Sequence, residues 1–160
     1  MTTVQDYSTD NCSIGRALSV LGEKWTLLVL REVFNGVRRF EEMHERIGAP
    51  RQVLSHRLAR LVDQGLLYRV PYREPGQRQR YEYRLTEKGI DLYPTLVSLL
   101  RWGDRWLVDV EGPAVTLHHK DCGAPVEVVL RCTEGHDVPT ARQVRAQPGP
   151  GAKLLQDAAR

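Results

Sequence analysis

Apolar residues recur with helical spacing in four segments between residues 12 and 66. Segment 12–22 follows the i, i+3, i+4, i+7 pattern of an amphipathic helix, and a glycine ends it. Segments 23–36 and 40–48 have the same organisation and also end at glycine. A fourth helix is predicted over 49–66. The pattern therefore predicts four short helices in succession.

The pattern then changes from helical spacing to that of two strands, the second with clean alternation. Residues 66–72 and 80–86 are predicted strands, and the Pro75-Gly76 pair between them indicates a turn. Short helices followed by an arginine-rich hairpin predict a winged helix-turn-helix. The expected fold class is therefore mainly α with a small β-hairpin wing, followed by a small β-containing C-terminal appendage.

A long helix is predicted from Thr86, a suitable N-cap, to about Val108, with a bend at Pro94. Its apolar and aromatic residues spread round most of the helix, so it should be buried on two sides. One side can cover its own domain, and the other most simply packs against a two-fold mate. Packing entirely within one monomer is the alternative. The residues expected in a dimer contact are Leu96, Leu99, Leu100, Trp102 and Trp106.

The predicted helix 49–66 has one apolar and one polar face. Pro50 is expected in its first turn, and the apolar face holds Leu54, Leu58 and Leu61. Polar side chains early on the opposite face offer the donors and acceptors that base edges require, whereas arginines suit phosphates. The arginines at 51 and 57 lie nearer the apolar face, where they reach phosphates or pair with acidic residues. The residues expected to contact DNA are Arg51, Gln52, Ser55, His56, Arg57 and Arg60 of this helix and Arg73, Arg78 and Arg80 of the wing.

Charge is concentrated in the same region. The 160 residues have a formal net charge of +3, but residues 51–84 carry eight arginines against three acidic residues. Residues 109–160 are nearly balanced, with six basic and seven acidic residues. This asymmetry is typical of a surface that binds a polyanion such as double-stranded DNA.

Other protein classes fit the sequence less well. No apolar run approaches the roughly 20 residues of a bilayer span, and the first eleven residues contain no basic residue to begin a secretory signal, so a cytoplasmic protein is expected. Three scattered cysteines indicate free thiols. The chain has no nucleotide-binding glycine motif and no H-E-x-x-H, so no enzyme is expected. A protein-interaction adaptor whose winged helix has lost DNA binding is the alternative.

Three stretches of the sequence carry a family resemblance. They are CSIGRALSVLGEKWTLLVLREVFNGVRRFEEM, VLSHRLARLVDQGL and YEYRLTEKG. Together they cover about residues 12–108, and they resemble the HxlR-type transcriptional regulators, winged-helix relatives of the MarR group. The resemblance implies a homodimer that binds operator DNA and regulates, often represses, nearby genes. Two recognition helices about 34 Å apart would require a palindromic site.

Cys12 is a candidate for control of such a regulator. It stands at the start of the first predicted helix with Arg16 four residues on, and both features favour a thiol that reacts with oxidants and electrophiles. The resemblance implies the same role, because in several members the matching cysteine senses such compounds. The alternatives are a small packing residue and control by a small molecule in a hydrophobic cavity. The aromatic residues expected to line that cavity are Trp25, Tyr93, Trp102 and Trp106.

The tail contains a group of metal-ligand residue types. His118, Cys122, Cys132 and His136 suit zinc, but no C-x-x-C pair is present, and Cys132-x-x-Gly135 looks like a zinc knuckle without its second cysteine. We therefore expect no cofactor and a degenerate β appendage with strands at 114–118 and 126–131, while a bound zinc ion stays the alternative. The expected divisions of the chain are an N-terminal tail at 1–11, the DNA-binding domain at 12–86, the dimerisation helix at 87–110, the appendage at 111–145 and a flexible terminus at 146–160.

Overall fold

The computed structural model describes residues 7–155. The chain divides into two compact units, one formed by residues 13–96 and the other by the described residues before and after them. No described helix is long and apolar enough to cross a membrane. In chain order the elements are α1 (Ser13–Leu21), α2 (Lys24–Phe34), α3 (Phe40–Ile47), α4 (Arg51–Asp63), β1 (Leu67–Tyr72), β2 (Arg80–Leu85), α5 (Glu87–Ile90), α6 (Tyr93–Trp106) and a 3-10 turn (Ala141–Gln143).

The core of the 13–96 unit forms where α2 and α4 bury their apolar faces together. The predicted apolar face of α4 is confirmed, because Leu54, Leu58 and Leu61 are at most 1% exposed. Val29 and Leu30 of α2 are fully buried in the same cluster. Each such side chain contributes about 1.5–3 kcal/mol when it leaves water. Burial of one face fixes which residues of α4 point outward.

The turn between α3 and α4 depends on a left-handed glycine. Gly48 has a φ of 69°, and its N–H closes α3 by donating to the carbonyl of His44 at 3.0 Å. Pro50 then serves as the N-cap of α4, one position before the first turn where it was expected. The ends of α3 and α4 agree with the prediction otherwise to within three residues.

The wing is a regular antiparallel hairpin, as predicted. Its register runs from the Leu67–Leu85 pair to the Tyr72–Arg80 pair. A third segment joins its edge, since Arg39 forms a bridge with Glu82 and the N–H of Tyr83 donates to the carbonyl of Arg38 at 2.9 Å. The residues just before α3 therefore tie the wing to the helices.

The predicted single helix from Thr86 to Val108 is wrong in one respect. The structure has two helices here: the four-residue α5 and then α6, which ends at Trp106. Thr86 is confirmed as an N-cap, because its hydroxyl accepts from the N–H of Gly89 at 3.1 Å. Pro94 lies in the first turn of α6, where its ring is tolerated, and it disfavours a continuous helix through the residues before it.

The two strands predicted in the tail do not form. Residues 114–118 and 126–131 contain only isolated bridges, His118 with Pro125 and Arg131 with Asp137. Leu117 and Val126 are only half-buried, and the remaining large apolar side chains are 41–67% exposed, so no buried face supports a sheet.

The described part of the expected flexible terminus is paired to the N-terminal segment. Tyr7 bridges Leu154, and the N–H of Ser8 donates to the carbonyl of Lys153 at 2.8 Å. This pairing differs from the expectation for 146–155 and was not visible in the sequence, because it joins residues at opposite ends of the chain. Residues 1–6 of the predicted N-terminal tail and 156–160 of the terminus lie outside the described residues.

Candidate nucleic-acid interface

The outer face of α4 presents three polar side chains to solvent. Gln52, Ser55 and His56 are exposed, and within residues 7–155 none of them forms a side-chain hydrogen bond or ion pair. An amide, a hydroxyl and an imidazole together supply the donors and acceptors that base edges in a major groove require. The structure thus places these three predicted residues together on a free surface.

Arg51 is held at the start of α4 by an acidic partner. Its guanidinium makes two hydrogen bonds to Glu41 at 2.6 and 2.7 Å and lies 5.0 Å from the centre of the Phe40 ring. The hydrogen bond from Arg51 is the main cause that lowers the pKa of the Glu41 carboxyl, and burial opposes it. Arg51 therefore pairs with an acid in the free protein, which is one of its two predicted alternatives.

Arg57 and Arg60 contact other parts of the helical unit. Arg57 is only 13% exposed, and its guanidinium forms an ion pair with Glu23 at 2.9 Å, so its charge is compensated within the protein. Arg60 is exposed, and its Nη2 donates to the carbonyl of Ser19 at 2.5 Å. Because Arg57 is largely buried, it is poorly placed to reach a phosphate. Arg60 can exchange its exposed hydrogen bond to the Ser19 carbonyl for one to a phosphate oxygen.

The wing carries exposed arginines at its turn and along its strands. Arg73 donates from Nε to the carbonyl of Gln77 at 3.0 Å, which orders the turn. Arg78 and Arg80 are exposed and have no hydrogen-bond or ion-pair partner in the described part of the chain. They are the most available cations of the predicted set.

One exposed arginine of the wing was missed by the sequence interpretation. The guanidinium of Arg69 lies 5.2 Å from the centre of the exposed Tyr81 ring. Its neighbour in the register is Tyr83. The signal that could have found Arg69 is its position inside the predicted strand 66–72, since successive strand residues face opposite sides of the hairpin.

Cys12 lies immediately before α1 and is partly exposed. Its N–H donates to the carbonyl of Thr9 at 2.9 Å. All three cysteines of the described chain are free thiols, so Cys12 forms no disulfide within the protomer. The expected position at the head of the first helix is thus observed.

Apolar side chains of α6 remain exposed. Leu99, Trp102 and Trp106 follow helical spacing and are 48%, 58% and 63% exposed, while Leu96 and Leu100 are half-buried. Large apolar residues in a row on a helix surface mark an interaction face. Tyr93, at the start of α6, instead packs its ring 5.0 Å from that of Phe34.

The candidate metal ligands of the tail lie in separate pairs. The sulfur of Cys122 is 3.3 Å from Nδ1 of His119, and the sulfur of Cys132 is 3.4 Å from Nδ1 of His136. The ring of His118 contacts the carbonyl of Gly123 at 2.9 Å instead. Among residues 7–155 no three histidine, cysteine or acidic side chains come close enough to hold one metal ion.

Known proteins similar to this chain over most of its length are also helix-turn-helix regulators. Residues 20–111 match the model of the HxlR-like helix-turn-helix family. The chain is 50% identical over 141 residues to the uncharacterized HTH-type transcriptional regulator Rv3095 of Mycobacterium tuberculosis, with 88% of each protein covered. It is 35% identical to a similarly described regulator, sll1512, of Synechocystis, over 60% of this chain and 70% of the relative.

Solved structures extend the similarity to the fold. PA1607, solved as a candidate transcription factor, is 34% identical, with a TM-score of 0.77 and coverage of 88% of this chain and 96% of that one. The oxidized form of the redox regulator HypR is 27% identical, with a TM-score of 0.54 over 62% of this chain and its whole length. The fold is therefore that of the winged-helix regulators. The matched family and the relatives are transcriptional regulators and not enzymes, which agrees with the prediction from the sequence. The chain belongs to the HxlR-like helix-turn-helix family of DNA-binding transcriptional regulators.

Proposed function

We propose that the chain is a dimeric regulator that binds a palindromic DNA operator through the outer face of α4 and the β1–β2 wing. The observation that carries this proposal is the set of three exposed side chains on α4, Gln52, Ser55 and His56, which have no partner in the described part of the chain. Groups that could hydrogen-bond but face only solvent are available to base edges. Because the target would be DNA, we expect the protein to act in the cytoplasm and, by analogy with its family, as a repressor.

The arginines supply the proposed phosphate contacts. Arg78 and Arg80 are free at the wing, and Arg60 and Arg73 hold only single hydrogen bonds to carbonyl oxygens. Arg51 can contribute if DNA draws it from Glu41. Arg57 is left out of the proposed set because it is covered and paired with an acid. Phosphate contacts of this kind set affinity and register but carry little sequence information.

Selection from a randomised 30-base-pair duplex library tests the proposal. The wild-type protein should enrich a two-fold symmetric site, since each protomer presents one α4 helix. Gln52→Ala and His56→Ala should each relax the preference at particular base pairs, with a loss of about 1–3 kcal/mol per base contact. Arg142→Ala, which alters an exposed arginine of the tail, is the matched control and should select the same site. Enrichment of no site by the folded wild-type protein would contradict the proposal.

The dimer is supported by apolar surface at two helices. On α6 the exposed face contains Trp102 and Trp106, and on α1 the side chains of Ile14 and Leu18 are 71% and 58% exposed. Two-fold pairing would remove such surface from water and bring two copies of α4 to one duplex. Sedimentation velocity on the purified protein should therefore give the mass of a dimer at micromolar concentration.

A thiol switch at Cys12 is a second candidate function. It is favoured by the partly exposed, free thiol at the head of α1 and by the similarity to HypR, solved in both reduced and oxidized forms. Hydrogen peroxide, which converts a single thiol to a sulfenic acid and is itself reduced to water, should release the wild-type protein from its selected DNA site, and Cys12→Ser should bind DNA without this response. Cys122→Ser is the matched control. Equal release of wild type and Cys12→Ser would refute the switch.

A further inference from the structure

A small cavity that is open to solvent on one side lies between the start of α3 and the wing. Its volume is about 280 Å³. A cavity of about 150 Å³ with apolar walls is large enough for benzene, so this one has room for one or two fused rings. All of its lining belongs to the 13–96 unit. The lining residues are Phe40, Glu41, Tyr72, Arg80, Tyr81 and Tyr83.

The walls of the cavity are mainly aromatic. Phe40, Tyr72 and Tyr83 are half-buried, and Tyr81 is 43% exposed. The Tyr72 ring is held from one side by the Arg39 guanidinium, 4.4 Å from its centre. Aromatic side chains favour offset or edge-to-face contact with another planar ring. The shape and chemistry of the walls therefore suit a flat aromatic molecule.

Three charged side chains interact beside the cavity: Glu41, Arg51 and Arg80. The Glu41 carboxylate is compensated by its two hydrogen bonds from Arg51, and the Arg39 guanidinium is compensated by Glu74 and Glu82. Arg80 lines the same cavity and forms no hydrogen bond or ion pair within the part of the chain that is described, but its charge interacts with that of Glu41. Arg51 and Arg80 together outnumber the single negative charge of Glu41, so this side of the cavity keeps a net positive charge, which favours a negatively charged group.

We propose that this cavity binds a small aromatic carboxylate. The ring would lie among the phenylalanine and tyrosine side chains, and the carboxylate would accept hydrogen bonds from the Arg80 guanidinium, a geometry that Arg and carboxylate form in a bidentate way. Binding of the acid would use only the residues that line the cavity, so it does not depend on DNA or on a second protomer. One consequence rests on the proposed function: since Arg80 is also a proposed phosphate contact, a bound acid would weaken DNA binding, and DNA would weaken acid binding by the same factor.

Isothermal titration of the full chain with 1-naphthoate, in the absence of DNA, tests the binding step. A ligand of this size should bind with a Kd of about 0.1–1 mM. The neutral amide 1-naphthamide should bind at least tenfold more weakly, because it lacks the negatively charged oxygens to which the Arg80 guanidinium would donate. Absence of 1-naphthoate binding at several millimolar, or equal binding of acid and amide, would overturn the proposal.

Substitution of the cavity arginine tests the assigned contact. Arg80→Ala should weaken 1-naphthoate at least fivefold, Arg80→Lys should weaken it less, and Arg142→Ala should bind as wild type does. Unchanged circular dichroism and urea midpoint would show that Arg80→Ala is folded. If folded Arg80→Ala binds 1-naphthoate as tightly as wild type, the carboxylate is held elsewhere and the proposal is refuted.

A DNA titration separates ligand binding from its consequence. At saturating 1-naphthoate, the Kd of wild type for its selected duplex should rise several-fold, and that of Arg80→Ala should not change. Binding of the acid without any change in the Kd for DNA would overturn the coupling. If Arg80→Ala loses affinity for DNA but the wild-type protein binds no 1-naphthoate, Arg80 contacts DNA alone. That result would overturn the proposed ligand site. Failure of DNA binding itself would leave the calorimetric result unaffected.

Discussion

Glu32 is the one acidic side chain in the core of the described helical unit, and replacing it tests how α2 holds α3. Its side chain is 1% exposed. One carboxylate oxygen accepts from Nε and Nη2 of Arg31, and the other accepts from Nε of Arg46 on α3 at 2.5 Å. Burial disfavours the ionised form, but the hydrogen bonds from Arg46 and Arg31 outweigh it and lower the pKa of Glu32.

The expected cost of Glu32→Gln at pH 7 follows from these contacts. Breaking a fully buried ion pair costs about 3–5 kcal/mol, whereas an exposed pair contributes about 0–1 kcal/mol. Here the acid is buried but the Arg31 and Arg46 side chains are 50% and 56% exposed, so water can replace part of the lost interaction. We expect a decrease of about 2 kcal/mol in the free energy of unfolding. Glu45→Gln, on an exposed glutamate of α3, should change it by less than about 0.5 kcal/mol.

The pH dependence gives the sign of the effect. A lowered pKa in the folded state means that ionised Glu32 stabilises the protein above its unfolded pKa of about 4.3, and this contribution is lost as the pH falls through the folded pKa. Urea unfolding should therefore show a difference between wild type and Glu32→Gln that is full at pH 7 and shrinks below about pH 4. A difference under 0.5 kcal/mol at pH 7, or one that persists unchanged at low pH, would refute this account.

Three further predictions concern packing and assembly. Gly89→Ala should destabilise by about 1–3 kcal/mol in urea unfolding, because a Cβ would lie 2.2 Å from the backbone oxygen of Leu66. Gly103→Ala, on a helix position with open space, is its control and should not destabilise. Leu58→Ala should cost about 2–5 kcal/mol in the same assay, since its side chain is fully buried. Trp102→Glu should shift the sedimentation mass from dimer to monomer while circular dichroism stays unchanged, and an unaltered dimer would exclude this part of α6 from the interface.

The sequence predicts those parts of the fold that local pattern determines. Leu54, Leu58 and Leu61 identify the buried face of α4, and by elimination the exposed polar face, because helical period alone decides which residues share a side. Alternation in 80–86 and the Pro75-Gly76 turn signal between two strand-like segments predict the wing from local pattern in the same way. The break before α6 was missed because Pro94 was expected to bend a helix, whereas the structure places it in the first turn of a new one.

Features that depend on contacts between distant residues could not be predicted. The pairs Arg57–Glu23 and Arg51–Glu41 join different helices, and which arginine meets which acid depends on how the helices pack. The cavity beside Arg80 likewise needs α3 and the hairpin in their final positions. In the tail, the apolar and β-branched residues of 114–118 and 126–131 suggested strands. No other apolar surface in the described part of the chain packs against these segments, and strand propensity alone does not form a sheet.

The most direct test of the central claim is the salt dependence of DNA binding. Fluorescence anisotropy with the duplex selected from the library should give a log Kd that changes linearly with log salt, with a slope that corresponds to several released counterions per dimer. Arg78→Ala should reduce that slope by about two, one phosphate contact per protomer, without changing the preferred sequence. Binding that is independent of salt, or equal for the selected and a scrambled duplex, would contradict the assignment of α4 and the wing as a sequence-specific DNA interface.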